Sequence, residues 1–140
     1  MRPTTGKLCS FKKLVWFLHD LRPEVMPLKL IIAIVQPFRL EEVKQSLYDA
    51  EVQLMTVSEV LGHGRQGGVT EVYRGHRESG NLLRKIRLEI AVNDDYVERT
   101  IAAIVRGAKT GELGDGKIFV YSLEECIRIR TEERGPGAIG

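Results

Sequence analysis

The stretch Gly111-Glu-Leu-Gly-Asp-Gly-Lys117 matches the first seven letters of the phosphate-binding P-loop pattern, but Ile118 stands where that pattern needs Ser or Thr. A helix is expected before it and a strand after it, the reverse of the P-loop context, so no helix N-terminus aims its dipole at a phosphate. The Walker reading fails. Its physical logic survives, because backbone amides free of side chains wrap an anion and Lys117 supplies charge. On its own the stretch also reads as a Gly-rich turn ending in a surface lysine. Arg128 and Arg130 lie two apart in an expected strand and so point to one face, where two guanidiniums repel unless something anionic sits between them. A solvated strand edge with Glu neighbours is the plainer alternative. Lys85 lies where a long loop re-enters the sheet, within reach of Glu89 or of a ligand carboxylate. Three cationic sites and Gly-rich turns on a small domain point to a pocket for an anionic ligand without specifying it.

The elements that must position these residues follow from hydrophobic period. Leu28–Gln36 is a continuous apolar run ending at Pro37 and reads as a buried strand. Leu40, Val43 and Leu47 then recur at helical spacing, with Glu41 and Glu42 in the first turn where they favour the helix dipole. Gln53–Gly62 alternates as a second strand, and Ile86, Leu88, Ile90 and Val92 alternate strictly with Arg87, Glu89 and Ala91 as a third. Asn93-Asp94 offers a helix cap, Val97, Ile101, Ile104, Val105 and Ala108 form one helical face, and Gly111 is the expected stop. Lys117–Leu123 and Ile127–Thr131 complete the set as two short strands. The order is βαββαβ with a small extra strand, a split-βαβ, ferredoxin-like α+β fold. Between strands 2 and 3, about 20 residues from Gly62 to Leu82 show no apolar period. So long a structureless loop in a small domain is usually functional, and a mobile binding loop is expected.

At 140 residues, 43% apolar and 29% charged, the chain suits one globular domain and not two. The net charge of +2 is a smaller basic excess than a dedicated nucleic-acid binder carries, so no nucleic-acid partner is expected. Cys9 and Cys126 lack partners at metal-ligand spacing and could form at most one disulfide, which excludes a disulfide scaffold and a zinc ribbon. A reduced, cytoplasmic setting is the default. No stretch is long enough to span a membrane, and Leu14–Leu18 is too brief for a signal-peptide core. Residues 1–25 carry a net +3, leaving −1 for the rest. Residues 1–27 are therefore read as an extension and 28–140 as the domain. Met26 could be the true start, which would make the extension a disordered or mis-annotated tail. Phe11, Leu14, Val15 and Leu18 follow an amphipathic helical period, and with a basic rim beside Trp16 and Phe17 the other reading is a helix that touches a membrane surface or a partner, while the protein as a whole could be recruited to the inner membrane face.

Four separated motifs, Gly64-Arg-Gln66, Thr70-Glu-Val-Tyr-Arg-Gly75, Thr110–Val120 and Ile127-Arg-Ile-Arg-Thr131, closely resemble those of the PII nitrogen-regulatory signalling proteins, in the family's order and from about Leu28 to the C-terminus. The resemblance implies a homotrimer of ferredoxin-like subunits with nucleotide sites in the clefts between subunits. ATP and ADP compete there, and 2-oxoglutarate joins through Mg²⁺ when ATP is bound. It assigns nucleotide binding to Thr56, Gly62, Gly64, Arg65, Gln66, Gly114, Gly116, Lys117, Arg128 and Arg130. Gln66 would ligate Mg²⁺, and Gln66 and Lys85 would hold 2-oxoglutarate. The long loop corresponds to the family's T-loop, which docks onto an ammonium transporter or nitrogen-metabolism enzymes, with Tyr73 and Arg74 as docking residues. The protein implied is a sensor that moves no bonds itself. One departure stands out: Glu78 occupies the position of the family's uridylylated tyrosine, and a carboxylate cannot accept that modification.

Two other readings compete. A small ATP-binding or hydrolysing enzyme would need a general base near Lys117, and His63 and His76 lie in a loop poorly suited to preorganised catalysis. An RNA-binding ferredoxin-like domain would need exposed strand aromatics, and Phe119 and Tyr121 are expected one on each face.

Overall fold

A computed structural model describes residues 27–64, 72–73, 76–77 and 82–140. Strand β1 (Leu28–Val35) leads through a 3-10 turn at Pro37–Arg39 into helix α1 (Leu40–Asp49), then β2 (Thr56–Gly62). Two short strands, β3 (Val72–Tyr73) and β4 (His76–Arg77), precede the long β5 (Leu83–Asn93). Helix α2 (Val97–Ala108) and β6 (Lys117–Leu123) complete the regular elements. The main sheet has the antiparallel order β2-β5-β1-β6, the ferredoxin-like arrangement expected from the element order.

The apolar alternation decides which side of the sheet the helices cover. Ile31, Ala33 and Val35 of β1 and Ile86, Leu88, Ile90 and Val92 of β5 are buried on one face, where Val43 and Leu47 of α1 and Ala103 and Ile104 of α2 close over them. Each such Leu or Ile contributes roughly 1.5–3 kcal/mol by leaving water. The two helices meet closely at Gly107, where a Cβ would lie 2.6 Å from Val43 Cα. Arg39 Nε donates to the Gly107 carbonyl at 2.9 Å and Arg106 Nε donates to Ser46 Oγ at 2.9 Å, which ties the pair together at its rim. Thr100, fully buried, satisfies its hydroxyl by donating to the Tyr96 carbonyl at 2.7 Å.

The opposite face, helix-free among the described residues, carries Leu30, Ile32 and Ile34 from β1, flanked by Phe119 and Tyr121 from β6 and by Arg87 and Glu89 from β5. Phe119 pairs with Ile32 and Tyr121 with Leu30, so the two aromatics share this face and do not divide between both, as was expected. Residues two apart in a strand must point the same way.

Several local expectations are also corrected. Ile127–Thr131 is not a strand: Ile127 makes one isolated bridge to Arg134, and the chain between them turns, with Arg128 N donating to Glu133 O at 2.9 Å and Glu132 at φ +57. Asn93 makes no side-chain capping bond; it precedes a 3-10 turn at Asp94–Tyr96, and α2 begins only after that turn. The helix stops at Ala108, where Lys109 turns extended, ahead of the expected Gly111. The stretch between β2 and β5 is not wholly irregular, because Val72 pairs with Arg77 and Tyr73 with His76 in a small antiparallel ribbon.

Candidate functional site

The site is built at the end of the sheet where β1 finishes. Register places Gly62 opposite Leu83 and Lys117 opposite Ile34, so the end of β2, the start of β5 and the start of β6 converge there. An open cleft of about 590 Å³ results, lined by Gly62, His63, Gly64, Lys85, Gly114, Gly116 and Lys117, with Ile34, Leu83 and Phe119 as apolar floor. Two lysines and a glycine turn therefore share one cavity with the base of the long loop. The alternation of β5 puts Lys85 on the helix-free side, since Ile86 points into the core. Lys85 Nζ donates to the Gly114 carbonyl at 3.4 Å.

The turn before β6 owes its shape to glycine and to one carboxylate. Gly111, Gly114 and Gly116 take φ values of +90, +98 and +108, a region that L side chains avoid. At Gly116 a Cβ would lie 1.7 Å from the Ile34 carbonyl oxygen, so only glycine lets the turn press against β1. Asp115 accepts from the Thr110 hydroxyl and from the Thr110 and Gly111 amides, the latter two at 2.9 Å. Those bonds, the Thr110 hydroxyl first among them, hold the Asp115 carboxyl below the usual carboxylate range. Asp115 organises the turn, and sequence reasoning missed it. The signal was a short polar pair, Thr110 and Asp115, framing the glycines.

The remaining assigned residues lie elsewhere. Thr56, at the far end of β2, lines a separate cleft of about 370 Å³ with Leu30, Glu89, Ala91 and Ile139. Six residues of strand put it roughly 20 Å from Gly62. Arg128 donates to Glu133 Oε2 at 2.6 Å and to the Gly137 carbonyl at 2.8 Å, so its guanidinium serves the C-terminal turn within this chain. Arg130 sits in the same turn and not beside Arg128 on a strand face. The premise of two parallel guanidiniums does not hold. Arg65, Gln66, Arg74 and Glu78 lie outside the described residues, and of Tyr73 only the backbone pairing is described. Among the described residues, then, Gly62, Gly64, Lys85, Gly114, Gly116 and Lys117 share the cationic cleft at the loop end, Thr56 lines a second cleft, and Arg128 and Arg130 lie in the C-terminal turn.

Fold and site together define a ferredoxin-like domain with a cationic, glycine-walled cleft at the root of a long inter-strand loop. The family model "Nitrogen regulatory protein P-II" matches residues 28–133, and the chain belongs to that family. The nitrogen regulatory protein P-II of Rhodospirillum rubrum is 52% identical over 112 residues, which cover 80% of this chain and all of that protein. The nitrogen regulatory protein GlnK1 of Methanosarcina mazei is 51% identical over 117 residues, covering 82% of this chain and all of its own. Among solved structures, the GlnK of B. subtilis superposes with a TM-score of 0.66 at 38% identity, over 80% of this chain and 98% of that one. Arabidopsis thaliana PII bound to citrate gives a TM-score of 0.65 at 37% identity, over 80% and 89%. These relatives are named as regulators of nitrogen metabolism, and the chain's role is nitrogen-regulatory signalling. Among the described residues no helix is long and apolar enough to cross a membrane.

Proposed function

We propose that this chain senses ATP or ADP and 2-oxoglutarate and reports their levels by setting the shape of the loop between β2 and β5, which docks onto target proteins such as an ammonium transporter. The observation that carries this reading is the cleft itself: Lys85, Lys117 and the Gly114–Gly116 turn share one cavity with Gly62 and Gly64, the residues from which the loop departs. A phosphate held by the turn and Lys117 touches the loop's root, so binding free energy and loop conformation are coupled. In this reading Lys85, on the cleft wall, would meet a ligand carboxylate, and the Arabidopsis relative described as bound to citrate supports carboxylate binding. Gln66 is the residue that would hold Mg²⁺ between nucleotide and 2-oxoglutarate; the metal's part is to join phosphate and carboxylate oxygens.

The separation of Thr56 and of the Arg128–Arg130 turn from the lysine cleft supports a homotrimer. In a ring of three copies, the Thr56 cleft and the Arg128–Arg130 turn of one subunit meet the lysine cleft of the next, completing each nucleotide site. The helix-free face, with Leu30, Ile32, Ile34, Phe119 and Tyr121, is the apolar surface such a ring buries. An Arg87–Glu89 ion pair at 2.7 Å neutralises its polar side, an arrangement suited to packing more than to nucleic-acid phosphates. The protein acts in the cytoplasm, with its loop reaching targets at the inner membrane face. Catalysis is not part of this reading.

Calorimetric titration tests it. ATP and ADP compete for one site per chain, and 2-oxoglutarate binds with Mg²⁺ only once ATP is present. Binding of 2-oxoglutarate that ignores ATP overturns the mechanism, and steady ATP turnover abolished by Lys117→Ala would favour an enzyme instead.

A further inference from the structure

One titratable side chain at the root of the loop has no part in the proposed nucleotide site. β2 ends at Gly62 and β5 resumes at Leu83, so the loop leaves and returns at the end of the sheet opposite Leu28. His63 and Gly64 line the cleft directly after Gly62, together with Lys85 from β5, Glu112 and Asp115 from the turn before β6, and Lys117 from β6. A Cβ at Gly62 would lie 3.7 Å from Lys85 Cγ, and Lys85 Nζ donates to the Gly114 carbonyl at 3.4 Å, so strand end, lysine and glycine turn pack in series. At Gly64 a Cβ would meet nothing within 4 Å. His63 therefore stands exposed between two glycines, with room on its loop side.

Formal charge gives this position its weight. Lys85 and Lys117 share the lining with two carboxylates, Glu112 and Asp115, so among the described residues these charges cancel while His63 is neutral. Asp115 is held in place by the Thr110 and Gly111 donors, and its charge stays with the turn. Protonation of His63 makes the lining net positive. An imidazole ordinarily changes charge between about pH 5 and 8, a range in which ordinary lysines and carboxylates keep theirs. A phosphate chain presents strong acceptor oxygens and bonds most tightly to a charged donor. The ligand therefore selects the imidazolium, and by reciprocity proton and ligand strengthen each other's binding.

We propose that His63 is a phosphate-binding residue of the cleft, which joins Lys117 on the ligand's phosphate oxygens as the imidazolium and makes nucleotide affinity rise as pH falls. The proposal rests on the nucleotide reading of this cleft and adds the proton to what the site senses. A bond made by His63 reaches the loop in one step, because Gly64 follows it with no side chain of its own. The loop's root is then held at a side chain as well as at the glycine turn, and its setting follows pH along with the nucleotide.

Calorimetric titration of the full chain with ATP and with ADP, at about pH 6 and about pH 8 and in buffers of different ionisation enthalpy, reads affinity and proton uptake together. The nucleotide's own phosphate also titrates, so parent and variant are compared at each pH. At the lower pH the parent should bind about tenfold tighter than His63→Gln and take up more protons, whereas at the higher pH the two should agree. His63→Lys, which fixes the charge, should keep at the higher pH the advantage that the parent has only at the lower. Equal thermal unfolding midpoints check that each variant folds. Identical pH profiles and proton uptake in parent and His63→Gln, with Lys117→Ala still weakening binding, overturn this proposal alone. An advantage of the parent that is the same at both pH values overturns it too, because a merely structural role would look so. No binding of either nucleotide by the parent overturns the nucleotide reading and this proposal with it.

Discussion

Gly116 is the residue at which the cleft has least tolerance. Its φ of +108 and the carbonyl oxygen of Ile34, 1.7 Å from where a Cβ would sit, act together. Gly116→Ala must move the turn, β1 or both, and should cost on the order of 3 kcal/mol in urea unfolding. It should also weaken nucleotide binding beyond what that loss explains. Lys85→Ala, by contrast, should spare the fold and ATP affinity while 2-oxoglutarate binding disappears from calorimetry. Asp115 adds a pH dependence whose sign is fixed. Its folded pKa is lowered by Thr110 and Gly111, so the stability it contributes is present above the ordinary carboxylate pKa and is lost as pH falls through the lowered value. Thermal unfolding of Asp115→Asn should therefore differ from the parent at neutral pH and converge with it in strong acid. Lys117, the glycines and Lys85 were legible in the sequence because charge and missing side chains are written in residue type. The Asp115 bonds were not, since they depend on how five residues of backbone turn.

At the scale of elements, period carried most of the fold. β1, β5 and both helices bury one side each, and an alternation or a stripe of apolar residues encodes that directly. Where no side is buried the signal weakens, as in β2, which is exposed along most of its length and starts at Thr56, three residues later than its alternation implied. The same reason defeats Ile127–Thr131. Ile127, Ile129 and the arginines alternate, but Ile129 is 95% exposed and the backbone turns to bond with itself. Alternation is evidence for a strand only when a partner and a burying surface exist. Gly107 shows the converse, a helix glycine whose reason lies on the other helix. Gly107→Ala should force α1 and α2 apart, costing about 2 kcal/mol by overpacking, measurable as a lower denaturation midpoint.

At the scale of the whole molecule, the proposed trimer would complete the nucleotide site and cover the apolar face that the described residues present. Native mass spectrometry should find three copies. Ile32→Glu, which places a charge at the centre of the helix-free face, should yield monomers that keep helical circular dichroism but lose nucleotide binding by at least tenfold. No sequence pattern within one chain displays such an assembly, because the period of β1 reports that both faces are apolar without saying what covers the second.

The opposite departures of loop and N-terminus have a practical consequence for anyone who fixes this protein to a support. A chain held from the N-terminal side of Leu28 is held at the end of the sheet opposite Gly62 and Leu83, where the β2–β5 connection begins and ends, some 33 Å away along the 11 residues of β5. Target capture on such a surface should proceed as in solution, whereas coupling through a lysine near the cleft would shield the recognition end.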